Sequence, residues 1–157
     1  NTPFRAYRRP APMVASGQAV IALVFVDVGL SDTLSKAALD TLPEDISVVI
    51  NPYATQAGFW VEEARRAGHE PWMMMPVETA LYPLDDPGPQ TLLIRAIEQQ
   101  NLNKLFWTLS RAQGYAGIVT GFQPAFMRST SDIRPVLGEI YERGLGFVDG
   151  DTEPSPT

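Results

Sequence analysis

Three carboxylates stand where an α/β chain would place its chemistry. Asp27 ends the apolar stretch LVFVD, Glu78 follows WMMMP, and Asp149 ends LGFVD. Acids gathered on one rim can hold a hard divalent cation such as Mg²⁺ or Ca²⁺ through oxygen alone. The same side chains can instead accept hydrogen bonds from helix N-terminal amides and loop backbone. Asn51 and Thr120 complete the rim, with Asp85 and Asp86 on a long loop nearby. Ser31 has no base in reach and reads as a helix cap. The chain has one histidine and no cysteine, which removes thiolate ligands and thiol nucleophiles. That histidine, His69, precedes the third strand, and a strand of six residues puts it roughly 20 Å from the acids. Count excludes a His/His/Asp metal site, and geometry excludes a His/Asp one.

The elements that must position these residues follow from hydrophobic periodicity. Ala19–Val26 reads as a strand buried on both faces. SDTLSKAALDTL follows as a helix, with Ser31 or Asp32 as cap and Leu34, Ala38 and Leu42 on one face. Ile46–Ile50 is the second strand, Thr55–Ala67 the second helix with Gly68 placed to end it, and EPWMMMP the third strand. A long connection over 77–91 carries Pro83, Pro87 and Pro89 and no periodicity. A helix from about Glu98 to Arg111 turns Leu102, Leu105, Phe106 and Leu109 inward. YAGIVT is the fourth strand, residues 130–144 the fourth helix, and LGFVD the fifth strand. The alternation predicts an α/β fold, a parallel sheet of about five strands with flanking helices and right-handed crossovers. Chemistry in that architecture sits at strand C-termini, where Asp27, Asn51, Glu78, Thr120 and Asp149 fall. Five units are too few for an eight-unit barrel, so the sheet is open or part of a larger barrel.

The chain has 157 residues, is 45% hydrophobic and carries a net charge of −6. It is globular, of one-domain size, and without a basic face for nucleic acid. Absence of cysteine fits either redox compartment, and no apolar run approaches the ~18 residues a membrane span needs. The organisation is an arm over 1–18, a domain over 19–152 and a tail over 153–157. The arm, rich in proline and arginine, reads as solvated; any membrane proximity would come through residues upstream of Asn1. A start without methionine reads as a processed or trimmed end.

Several stretches together resemble the divergent polysaccharide deacetylase family, relatives of NodB-type carbohydrate deacetylases. They are DVGLS at 27–31, AGHE at 67–70, DPGPQTL at 86–92, RPVL at 134–137 and RGLGFVD at 143–149, with AYRRP in the arm. The resemblance covers about Val20 to Thr152. It implies part of an irregular (β/α)7 barrel and hydrolysis of an N-acetyl sugar. In such enzymes a divalent metal, held by an aspartate and histidines, activates water, and a neighbouring aspartate is the base.

Carried over residue by residue, the site is incomplete. Asp27 matches the family's metal-binding aspartate, but the base-like position before it is Val26. The ligand histidine after strand four is Gly121, in VTGFQP. PVET keeps Glu78 of a PMEP-like segment, and DGDTE keeps Asp149 and Thr152 of a DSRTS-like one. Phe122, Phe126 and Met127 replace a polar site loop; they either fill the vacated pocket or offer an anchor to a partner. The expectation is therefore a non-catalytic deacetylase-like module of the periplasm or cell envelope, with no cofactor. Unpaired strand edges at the end of the sheet would receive another protein chain or a second copy. Two alternatives stand open. One is a metal-dependent deacetylase with a carboxylate-only site of Asp27, Glu78 and Asp149. The other is glycan binding without turnover through Tyr53, Trp60 and Tyr82.

Overall fold

The computed structural model describes residues 2–10 and 13–151; Thr152 and the tail 153–157 lie outside them. Five short strands form one sheet in the order β1-β2-β3-β4-β5, with every pair parallel. They are β1 (Val24–Val28), β2 (Ser47–Ile50), β3 (Pro71–Met75), β4 (Gly117–Thr120) and β5 (Gly146–Val148). Between them run α2 (Asp32–Thr41), α3 (Ala57–Arg66), α4 (Glu98–Leu109) and α5 (Thr130–Glu142), with a 3-10 turn at Ala125–Arg128. The α/β architecture expected from the alternation is present. Register pairs Ile50 with Met73 and Met75 with Thr120, so the strand C-termini meet on one rim.

The two faces of the sheet are covered differently. Val28, Val48, Ile50, Met73, Met75 and Ile118 point into the core beneath the helices. On the other face Val49, Trp72, Ala116 and Val119 form a smaller cluster, closed by Phe4 and Tyr7. Those two aromatics belong to α1 (Pro3–Tyr7), so this first part of the arm is docked rather than solvated, whereas 13–18 are exposed. The Phe4 ring lies 6.1 Å from that of Trp72, and Phe4 N–H donates to Gly144 O at 3.0 Å. Arg65 sits over the Tyr7 ring, and Arg9 pairs with Glu44 and Asp45. A five-residue helix has no independent stability; these tertiary contacts hold it.

The first strand departs from expectation. The strand begins at Val24; before it, Leu23 O accepts from Ser47 N–H at 3.1 Å, and 19–22 lie outside the strand. Instead of being buried on both faces, Val20, Ile21, Leu23, Val24 and Phe25 are exposed. β1 is an edge strand with a single neighbour, and among the described residues no strand pairs with its side away from β2. In α2 the buried positions are Ser35 and Leu39, and Leu34 faces solvent. Its cap is Ser31, whose hydroxyl accepts from Leu34 N–H at 3.4 Å. Gly68, at φ +91, ends α3 as expected. α4 stops at Leu109 and buries Asn101 and Thr108 beside Leu105. Among the described residues no helix is long and apolar enough to cross a membrane.

Candidate functional site

Asp27 lies within β1, not after it. Its backbone is left-handed, φ 62, where the register with β2 shifts between Phe25 and Val28. A non-glycine residue there is strained, least so for Asp and Asn. The shift turns the carboxylate toward β2, and Asn51 Nδ2 donates to its Oδ1 at 2.9 Å. Asn51, buried, is itself fixed: its backbone N–H donates to Val28 O, and its Oδ1 accepts from Tyr53 N–H at 3.0 Å. Asp27 and Asn51 thus join the first two rim turns.

Glu78 is spent on the long third connection. Its Oε2 accepts from Ile94 N–H at 2.9 Å, and its own N–H donates to Leu92 O at 2.8 Å. Phe126 N–H donates to Glu78 O at 3.1 Å, which brings the fourth loop alongside. Asp149 accepts from Asp151 N–H at 3.0 Å and from the Thr120 hydroxyl at 3.5 Å. Arg128 and Asp151 form an ion pair at 3.3 Å.

The sheet order keeps these acids apart. One strand separates β1 from β3 and another separates β3 from β5. At about 4.8 Å per strand, Asp27 and Asp149 are roughly 19 Å apart along the sheet. Ca²⁺ and Mg²⁺ need ligand oxygens within about 2.6 Å of the ion. Among the described residues no three His, Cys, Asp or Glu side chains come together in a group that could hold a metal ion. His69 is buried at the far end of the sheet, Nδ1 at 2.9 Å from Ile46 O and Nε2 at 3.4 Å from Leu39 O.

The loop replacements divide. Phe126 and Met127 are buried and fill space under the rim, whereas Phe122 is 73% exposed. A side chain at Gly121 would meet nothing within 4 Å, so the position matching the family's histidine is open. The Asp86-Pro87-Gly88-Pro89 turn folds over Tyr53. Asp86 Oδ1 accepts from Gly88 N–H, and a Cβ on Gly88 would lie 2.7 Å from the Tyr53 ring. Burial pushes the Tyr53 phenol above its ordinary value; the Gln90 amide lowers it in part and the Asp86 charge adds to the rise. Trp60 is buried and Tyr82 half-buried, so Tyr53, Trp60 and Tyr82 form no open rim platform. The partners of the three acids (Asn51 Nδ2, Ile94 N–H and Asp151 N–H) were not foreseeable as such, since no periodicity links them.

The family model for divergent polysaccharide deacetylases matches residues 23–157. The chain belongs to the divergent polysaccharide deacetylase family. No curated protein matches it. Among solved structures, an uncharacterised protein from Agrobacterium tumefaciens C58 is similar at 30% identity and a TM-score of 0.84. The match covers 94% of this chain and 59% of that protein, so the chain spans less than two thirds of its relative's length. Within the family's frame, the residues described here do not fit the metal expected of a deacetylase. Asp27 alone of the expected ligands stands at the rim, Gly121 lacks a side chain, and His69 is at the wrong end.

Proposed function

We propose that this chain is a non-catalytic member of its family, a binding or assembly module of the periplasm or cell envelope. The observation that carries the reading is the commitment of all three rim carboxylates to the chain's own hydrogen bonds: Asp27 to Asn51, Glu78 to Ile94, Asp149 to Asp151. A carboxylate bonded in this way braces loops, and Val26 offers no proton acceptor beside Asp27. The exposed first strand supplies a contact surface for another protein chain or a second copy.

One observation favours the alternative, a deacetylase with altered ligands. Asp27 holds a left-handed backbone, and strain of that kind gathers at working sites. Acetate release separates the two. The chain is incubated with acetylated chitooligosaccharides and peptidoglycan fragments in Mg²⁺, Mn²⁺ and Zn²⁺. Release no faster than the buffer blank is expected; acetate produced by the chain and lost in Asp27→Ala would overturn the non-catalytic reading.

A further inference from the structure

At the end of the sheet opposite the rim acids, the docked arm does not close fully on the chain beneath it. A cavity of about 420 Å³ remains between α1, the turn that follows α4 and the turn that leads into β5. The arm contributes Pro3 and Tyr7; Leu109 ends α4, Tyr115 precedes β4 and Leu145 precedes β5. Such a volume with a mainly apolar lining is that of a small-molecule site.

The bed is fixed in the docked fold. Tyr115 is buried, and its O–H is spent on Leu109 O at 3.0 Å. Leu109 and Leu145 pack against the main core. Arg65 holds the arm from the other side: it lies 5.0 Å from the Tyr7 ring centroid and donates to Tyr7 O at 3.4 Å and to Gly114 O at 3.3 Å. Close approach seats the start of the arm, since a Cβ on Gly144 would lie 2.6 Å from Thr2 Cβ.

The polar groups of the lining are mostly donors. Besides the tyrosines they are Gln113 and Arg143, with no carboxylate among the described residues that line the cavity. Arg143 lies over the Phe106 ring and spends Nη1 on the carbonyl and carboxylate of Glu139. Its Nε and Nη2 find no acceptor among the described residues, and neither does the Tyr7 phenol. A wholly apolar ligand would cover the bed but strip these donors of water. A carboxylate accepts from several N–H and O–H groups at once, with charge assistance from the guanidinium. An ammonium would meet Arg143 as a like charge.

The geometry points to a binding site for a medium-chain carboxylate, its apolar chain on Leu109, Tyr115 and Leu145 and its carboxylate at Arg143 and the Tyr7 phenol. The site lies at the N-terminal ends of β4 and β5, so it stands whether or not the rim is catalytic. Because Tyr7 belongs to the arm, the bound carboxylate also favours the docked arm over a released one. An apolar segment of another chain is the competing occupant; it brings no anion to the donors.

The test is an NMR titration of the ¹⁵N-labelled chain with octanoate, 1-octanol and octylamine. Octanoate is expected to move the amides of Gly114, Tyr115 and Leu145 and to leave those of Gly29 and Gly88, at the rim end, in place. Octanol should bind about tenfold more weakly, and octylamine more weakly still. Arg143→Gln should weaken octanoate about tenfold and leave octanol unchanged. Tyr7→Phe, which keeps the ring beside Arg65, should weaken octanoate about threefold. The proposal is overturned if octanoate at millimolar concentration moves none of the three amides, or if octylamine binds as tightly as octanoate. Equal binding by octanol also overturns it and makes the cavity a plain apolar patch for another chain. So does an Arg143→Gln variant with the parent's urea midpoint that binds octanoate as tightly as the parent. If that variant does not fold, the comparison of the three head groups on the parent chain decides alone.

Discussion

Asp27 concentrates the residue-scale question, because one side chain carries a strained backbone and an inter-strand hydrogen bond together. Asparagine keeps both features: it tolerates the left-handed region and still offers an oxygen to Asn51 Nδ2. Valine loses both. Asp27→Val should cost about 2–3 kcal/mol in urea unfolding, the sum of a β-branched residue in the left-handed region and a lost hydrogen bond. Asp27→Asn should stay close to the parent. If the amide proves as damaging as valine, the negative charge itself is needed, and a cation at the rim becomes the better account. A second residue reports on alkaline stability. Burial pushes the Tyr115 phenol up to about 12, with Arg143 pulling the other way, while its hydroxyl donates to Leu109 O at 3.0 Å. A phenol raised on folding contributes its stability in full below the unfolded value of 10, and loses it as pH climbs through about 12. The fall across that interval is roughly 3 kcal/mol. Urea midpoints should therefore fall between pH 10 and about 12, and Tyr115→Phe should flatten that fall while losing about 1 kcal/mol near neutrality. An equally steep fall in the variant would assign the effect to other groups.

At the scale of elements, the arm is the part that changes the picture of the sheet. α1 closes the face that the long helices leave bare, and the closure depends on close approach. A Cβ on Gly146 would lie 2.8 Å from both the Phe4 and Trp72 rings. Phe4→Ala and Gly146→Ala should thus disturb the same contact from its two sides. Each should lower stability, Phe4→Ala by about 1–2 kcal/mol for the apolar area it returns to water, and each should red-shift tryptophan emission as Trp72 becomes wetted. Unchanged emission and stability in both would mean that the arm is not docked in solution. None of this was legible in NTPFRAYRRP. Proline and arginine carry no period, and a helix of five residues is made by what it touches. β2 to β4 were legible because runs such as ISVVI and WMMM are buried on both sides, which is what a continuous apolar run signals. The same reasoning misjudged Ala19–Phe25: apolarity says that a segment prefers cover, not that cover is present. The rim shows the same division. Asp27, Glu78 and Asp149 could be placed from strand ends alone, whereas their partners come from loops that only the folded chain brings alongside.

For the whole molecule, the outstanding feature is that uncovered first strand. Val20, Ile21, Leu23, Val24 and Phe25 are exposed at 67, 82, 58, 46 and 38%; with Ala22, also exposed, they form an unbroken run free of the charges or proline with which edge strands are usually protected. The run AVIALVF also has the composition of a pairing segment: β-branched, uncharged and seven residues long. Scattered surface hydrophobics are ordinary, but a contiguous set on a sheet edge marks a contact surface. In light scattering across a concentration series, the mass is expected to rise above that of one chain. Ile21→Lys and Phe25→Lys should return it to the monomer. Ile21 is 82% exposed, so Ile21→Lys should leave the unfolding free energy within about 0.5 kcal/mol of the parent, whereas Phe25, 38% exposed, should cost about 1 kcal/mol when replaced. Dissociation by Ile21→Lys at parental stability separates lost association from lost folding. A parent chain that stays monomeric into the high micromolar range would remove self-association as the cover of the edge. Monomers from the parent and the variants that also co-purify with nothing would remove the assembly role itself.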